Sequence, residues 1–219
     1  MKLRTKWFGI GLVIVILAAG LVAFFFETQS RPKKPVNTIH VACVGDSITN
    51  GTEYPDDLWM MLGANYTVGN FGVGGATVSL QSGNSYMNQS EFRNAEDFMP
   101  NIVVIMLGTN DAYSSRQQNT DNFINDYKAL IGGFQALSTK PKIWIVVPPP
   151  IFIDNLGPDN TILVKDIIPR IDQTATELGL PTIDVYSQLV NHPEYFWDGV
   201  HPNNQGAKII ASEIYGVIV

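Results

Sequence analysis

Three short runs decide most of what this chain can fold into. IHVACVG (39–45), NIVVIMLG (101–108) and KIWIVVP (142–148) are apolar at nearly every position and rich in β-branched residues. A strand with one wet face alternates apolar and polar side chains, whereas one that is apolar throughout needs cover on both faces. YTVGNFG (66–72) and PTIDVY (181–186) bring the strand candidates to five. Helical spacing of apolar residues marks DDLWMMLG (56–63) and residues 121–138. Pro169 would break a helix interior, so the next helix is placed near Ile168 with the proline in its first turn. A last helix follows Asn203. This alternation predicts a three-layer α/β/α sandwich with a parallel five-stranded sheet. In such sheets ligands bind beyond the carboxyl ends of the strands, and the polar residues there carry the functional information.

The N-terminus does not fit a globular domain. Trp7 to Phe26 contains no charge and as a helix would span about 30 Å, the thickness of a bilayer core. Lys2, Arg4 and Lys6 precede it, which predicts a cytoplasmic tail (1–6) and a transmembrane signal anchor (7–26), with the folded domain outside the cytoplasm. Arg31, Lys33 and Lys34 on the other flank oppose that bias. The alternative is a cleaved secretory signal and a secreted domain. It would want a shorter apolar region and a small-x-small site, yet Ala23 is followed by three phenylalanines and Glu27. ETQSRPKKPVN (27–37) reads as a polar linker and 38–219 as the domain.

Charge then narrows the partners. Six of the 14 basic residues precede Pro35, but only one of the 20 acidic ones does, leaving the remainder strongly acidic. So acidic a domain is a poor partner for nucleic acid. The single cysteine, Cys43, excludes an intrachain disulfide and sits in an apolar run, as a small core residue would. Asn50-Gly-Thr52, Asn65-Tyr-Thr67 and Asn88-Gln-Ser90 fit the glycosylation pattern, which is common by chance.

Four stretches carry candidate chemistry. Gly45-Asp46-Ser47 closes the first strand and places Ser47 at a helix start, where amides and helix dipole favour negative charge; helix capping is the plain alternative. NFGVGGAT (70–77) supplies exposed amides at Gly72, Gly74 and Gly75 or is merely a turn, and Thr77 stands where a dinucleotide fingerprint needs glycine. GTND (108–111) ends a buried strand in Asn110, as an amide donor or a turn residue. In YFWDGVHPNNQG (195–206), Asp198 can orient the imidazole of His201 three residues later, leaving its other nitrogen as a base. A solvated loop, or a metal site of His192, Glu194, Asp198 and His201, are the rivals there. A serine is a poor nucleophile until a base takes its proton, and acyl transfer needs donors for an oxyanion. The four stretches together supply all of these parts.

In VGDSITNG, NFGVGG, LGTND and DGVHPN, in that order, the chain resembles the SGNH, or GDSL-type, serine hydrolase family over residues 39 to about 215. The serine lies outside a G-x-S-x-G elbow, which disfavours the α/β-hydrolases. The resemblance implies a flavodoxin-like sandwich and ester hydrolysis without cofactor or metal. Ser47 would be nucleophile, His201 general base and Asp198 its partner. The oxyanion hole would combine the backbone N–H groups of Ser47 and Gly72 with the Asn110 side chain. Tyr54-Pro55, NQSEFRNAEDFMPNIVVIMLGTND (88–111) and PPP (148–150) are similar to the carbohydrate-esterase and sialate O-acetylesterase-like branch. That suggests an acetyl ester on a sugar or polysaccharide as substrate, with residues 112–120 and 151–160 lining the pocket. A lysophospholipase or thioesterase, and a silent carbohydrate-binding module, are the alternatives.

Overall fold

The computed structural model describes residues 38–113, 115, 122–153 and 157–219. The expected tail (1–6), anchor (7–26) and linker (27–37) lie outside these residues. Among the described residues no helix is long and apolar enough to cross a membrane.

Strands β1 (Ile39–Gly45), β2 (Tyr66–Gly72), β3 (Ile102–Met106), β4 (Lys142–Val147) and β5 (Thr182–Asp184) form one parallel sheet in the order β2-β1-β3-β4-β5. The apolar runs are the central strands. Every residue of β3 is buried, as are the last five of β1. Alternate side chains feed two separate cores. Ala42, Val44, Val103, Ile105, Ile143 and Ile145 face one, and Val41, Cys43, Ile102, Val104, Met106 and Val146 the other.

Short helices α1 (Ser47–Gly51) and α2 (Tyr54–Leu62) follow β1, and α3 (Ser90–Asp97) and α4 (Phe123–Gln135) flank β3 in sequence. α5 (Asn160–Ile162) and α6 (Ile168–Leu178) precede β5, with α7 (Val185–Leu189) and α8 (Asn204–Ile218) after it. Phe92 of α3, Leu130 and Phe134 of α4 and Ile171 of α6 cover the first core. Leu58 of α2, Leu189 of α7 and Ala207, Ile210 and Ile214 of α8 cover the second. The result is the three-layer sandwich, with burial of each such Leu, Ile or Phe side chain contributing about 1.5–3 kcal/mol.

One boundary differs from the sequence expectation. Helical backbone does not begin near Ile168 but runs from Asn160, capped by the Asp159 carboxylate, through a π turn at Leu163–Ile167 into α6. Pro169 lacks an N–H and would crowd the carbonyl four residues back. That carbonyl, of Lys165, lies inside the π turn, where the wider ladder accommodates the ring.

The chain runs from β1 to β2 on one side and then returns to β3 on the other. The β1/β3 junction is therefore the topological switch point, the expected place for a site. Gly72 at the end of β2 abuts this region. A Cβ there would stand 2.2 Å from the Asn50 amide nitrogen and 2.7 Å from its Cα, both backbone, whereas one on Gly74 meets nothing within 4 Å. Gly72→Ala is expected to lower stability in urea denaturation by roughly 1–3 kcal/mol, with Gly74→Ala changing it by about 0.5 kcal/mol or less. Equal midpoints for the two variants would contradict this packing.

Candidate active site

Beyond Gly45 the chain turns straight into α1. The buried Asp46 carboxylate caps that helix, its Oδ1 accepting from Ile48 N–H at 2.9 Å. Capping, the plain alternative for Ser47, is thus done by its neighbour. The Ser47 hydroxyl instead lies 2.9 Å from His201 Nε2, across 154 residues of sequence.

The other ring nitrogen of His201 meets Asp198 Oδ2 at 2.8 Å. Asp198 Oδ1 in turn accepts from the Val200 and His201 amides at 2.9 and 2.8 Å. Burial works against ionisation of Asp198, but the hydrogen bonds from the His201 amide, the His201 ring and the Val200 amide outweigh it and hold the carboxyl below its ordinary value. The turn is shaped by Gly199, at φ +83, where a Cβ would also strike Ile153 at 2.7 Å. Phe152 N–H donates to the Gly199 carbonyl at 2.7 Å, and Phe152 packs edge-on against Phe196. Asn203, just past the turn, caps α8 through bonds from Gln205 and Gly206 N–H. With its Nδ1 proton directed to Asp198, His201 presents Nε2 as acceptor to a hydroxyl, the arrangement that activates a serine.

The candidate donors are placed by the sheet ends. Asn110 follows β3 in a 3₁₀ turn, Thr109–Ala112, and its Nδ2 donates to the Ala76 carbonyl at 3.0 Å. Gly72 N–H, expected to face an oxyanion, donates to Asn70 Oδ1 at 3.0 Å and would have to release that bond to serve. The following residues form a turn closed by Ala76 N–H to the Val73 carbonyl, with Gly75 at φ +73, the third-position conformation that favours glycine.

Three carboxylates that sequence reading passed over build this region. Asp111 accepts from Val78 and Ser79 N–H, at 3.0 Å each, and Asp126 from Leu80 N–H at 2.9 Å. Together with Asn110 they strap the irregular segment 76–80 to the end of β3 and to α4. Asp46 is the third. Its Oδ2 is faced by the buried Thr109 hydroxyl. Burial pushes its carboxyl up to about 6, against the lowering effect of the Ile48 amide, of His201 and of the Thr109 hydroxyl. The signal for all three is an acid inside or directly bordering an apolar stretch.

The metal alternative fares differently. His192 pairs with Glu194 at 2.8 Å and stacks on Tyr195, while both nitrogens of His201 are engaged by Ser47 and Asp198. Among the described residues no group of three His, Cys, Asp or Glu could hold a metal ion. Cys43 is buried between the sheet and α2, and burial pushes its thiol up to about 12, so it is inert packing.

Comparison with known proteins follows the same residues. The profile of the GDSL-like lipase/acylhydrolase family matches residues 43–209. An acetylxylan esterase from Xylanibacter ruminicola is 32% identical over a 216-residue alignment, which takes in 87% of this chain and 45% of that protein. The chain thus spans less than half the length of that relative. Among solved structures, a lipase/acylhydrolase from Enterococcus faecalis superposes with a TM-score of 0.67 at 22% identity, covering 83% of this chain and 95% of that one. A carbohydrate acetylesterase family member from Sinorhizobium meliloti gives 0.65 at 20%, covering 83% and 97%.

Asp46→Asn keeps an oxygen for the Ile48 amide but removes the buried charge. A carboxyl raised to about 6 in the fold is penalised while ionised, and the penalty fades as pH falls through that value. The variant should therefore be more stable than wild type at pH 8, by up to about 3 kcal/mol, with the gap shrinking below pH 6 and closing toward pH 4. A gap independent of pH would contradict the burial of this charge.

Proposed function

The chain belongs to the GDSL-like lipase/acylhydrolase family, and from that premise we propose that it is a serine esterase that removes acetyl groups from O-acylated carbohydrate through Ser47, His201 and Asp198. The observation that carries this reading is the 2.9 Å contact between Ser47 Oγ and His201 Nε2, with Nδ1 on Asp198. Ser47 Oγ attacks the ester carbonyl carbon while His201 Nε2 takes its proton. The tetrahedral intermediate collapses by breaking the bond to the alcohol oxygen, which receives the proton back from His201. Water then repeats the sequence on the acyl-serine and frees the acid. Asp198 fixes the ring and balances the imidazolium that forms twice in the cycle.

Negative charge on the carbonyl oxygen needs donors already in place. We assign these to Ser47 N–H, the Asn110 side chain and an amide of the glycine segment. We take Gly75 N–H, in the tight turn, as the candidate, because Gly72 N–H already donates to Asn70. The names of the relatives, an acetylxylan esterase and a carbohydrate acetylesterase family member, support an acetylated sugar as substrate.

Hydrolysis of p-nitrophenyl esters by the full-length protein tests this. Ser47→Ala should lower turnover on the order of 10⁴-fold or more, and substantial residual activity would remove Ser47 as nucleophile. Asn110→Ala should cost on the order of 10²–10³ in kcat, with melting measured alongside because Asn110 also holds Ala76. Acetate should be cleaved faster than long-chain esters. The reverse preference would favour a lysophospholipase or thioesterase, and no hydrolysis of any ester a binding module.

We extend the proposal to placement, with residues 7–26 as an uncleaved anchor and the domain outside the cytoplasm. The uncharged length of that segment supports it. Alkaline carbonate extraction of membranes should leave the protein in the pellet. Release into the supernatant, or a mature N-terminus beyond residue 26, would overturn the anchor.

A further inference from the structure

Trp197, between the buried Phe196 and the triad's Asp198, is a large apolar side chain left 74% exposed. Its neighbours fix where it points. Phe196 and Pro202 pair as an antiparallel bridge, and Trp197 N–H donates to the His201 carbonyl at 2.9 Å. Trp197 and His201 are therefore the next facing pair of the same short ladder. Facing side chains leave such a ladder on the same side, and successive pairs alternate. Phe196 and Pro202 are buried, so Trp197 and His201 rise together on the opposite side, away from the core. The turn beneath them is stiff. Gly199 packs on Ile153, itself 47% exposed, and Asp198 holds two of the turn's amides. No described aromatic ring covers the indole.

The chemistry says what should sit against it. In ester hydrolysis the group that leaves is the alcohol, and His201 Nε2 must reach its oxygen to return the proton. The alcohol half of the substrate therefore lies on the imidazole side, and the acyl half on the side of the oxyanion donors. A rigid, uncovered aromatic plane beside the imidazole borders the alcohol. When that alcohol is a sugar, the flat face of a pyranose offers a row of C–H groups that pack on an indole, leaving the hydroxyls at the rim for water. An indole combines large apolar area with few rotatable bonds, so little freedom is lost on contact.

Resting on the esterase reading above, we propose that Trp197 is the platform for the pyranose ring that carries the ester, and that it sets preference for the alcohol rather than for the acyl chain. It touches the leaving group, not the reacting carbonyl.

The test uses the full-length protein with two acetyl esters that differ only in the alcohol, ethyl acetate and an acetylated xylo-oligosaccharide. Trp197→Ala should lower the preference for the oligosaccharide, as the ratio of the two kcat/KM values, roughly 5- to 10-fold, the range of a single aromatic contact. The change should lie in KM for the oligosaccharide, and Trp197→Phe should recover most of it. A ratio that stays put overturns the platform, whether both rates fall together, as a merely structural role near Asp198 would produce, or neither moves. Wild-type protein that cleaves ethyl acetate but not the acetylated oligosaccharide sinks the carbohydrate reading and the platform with it. Active wild type with an indifferent Trp197→Ala sinks the platform alone.

Discussion

Val41–Gly45 and Ile102–Met106 lie side by side, buried on both faces, and the position of each polar group at the site follows from that pairing. The register sets Gly45 opposite Met106, and Gly45 approaches so closely that a Cβ would come within 2.7 Å of the Met106 carbonyl. Ser47 leaves the sheet two residues past one strand and Asn110 four residues past the other. Side chains far apart in sequence are thus delivered to one edge by strands that hydrophobic burial holds in place. The loop with Asp198 and His201 reaches that edge from α8, whose buried face packs on the same second core.

Irregular backbone cannot be buried without partners for its amides. Residues 76–79 are buried yet belong to no helix or strand, and carboxylates supply what a ladder would. Asp111 takes two of their N–H groups, Asp126 takes the next one at Leu80, and Asn110 donates to the Ala76 carbonyl. The same acids that look out of place in an apolar sequence give a loop at the site a definite shape. Asp46 shows the opposite balance. One oxygen caps α1, while the other has only the Thr109 hydroxyl to face in the interior, so burial keeps a charge beside Ser47 at a cost to the fold.

Much of this was legible because burial leaves a plain trace. The apolar runs became β1, β3 and β4, and β2 coincides with YTVGNFG; PTIDVY shrank to Thr182–Asp184 at the sheet edge, where a strand has one neighbour to pair with. Ser47 and His201 could be paired on the page because four separate stretches supplied complementary chemistry. What resisted reading depended on geometry without periodicity. Pro169 reads as a helix start until the π turn before it is seen. α3 has only Phe92 and Ala95 buried, too few to mark a face. Gly72 and Gly75 look alike in a string, and only the carboxamide of Asn70 and a φ of +73 tell them apart.

The distance in sequence between Ser47 and His201 also orders events in time. During synthesis a chain emerges from its N-terminus at roughly 5–20 residues per second. The strand that presents Ser47 is made first, and His201 follows 154 residues later, after all five strands. The hydroxyl therefore has no His201 imidazole beside it until the five strands have been made. The contact between Ser47 and His201 is thus a late one, closed only after every strand of the sheet that frames it already exists.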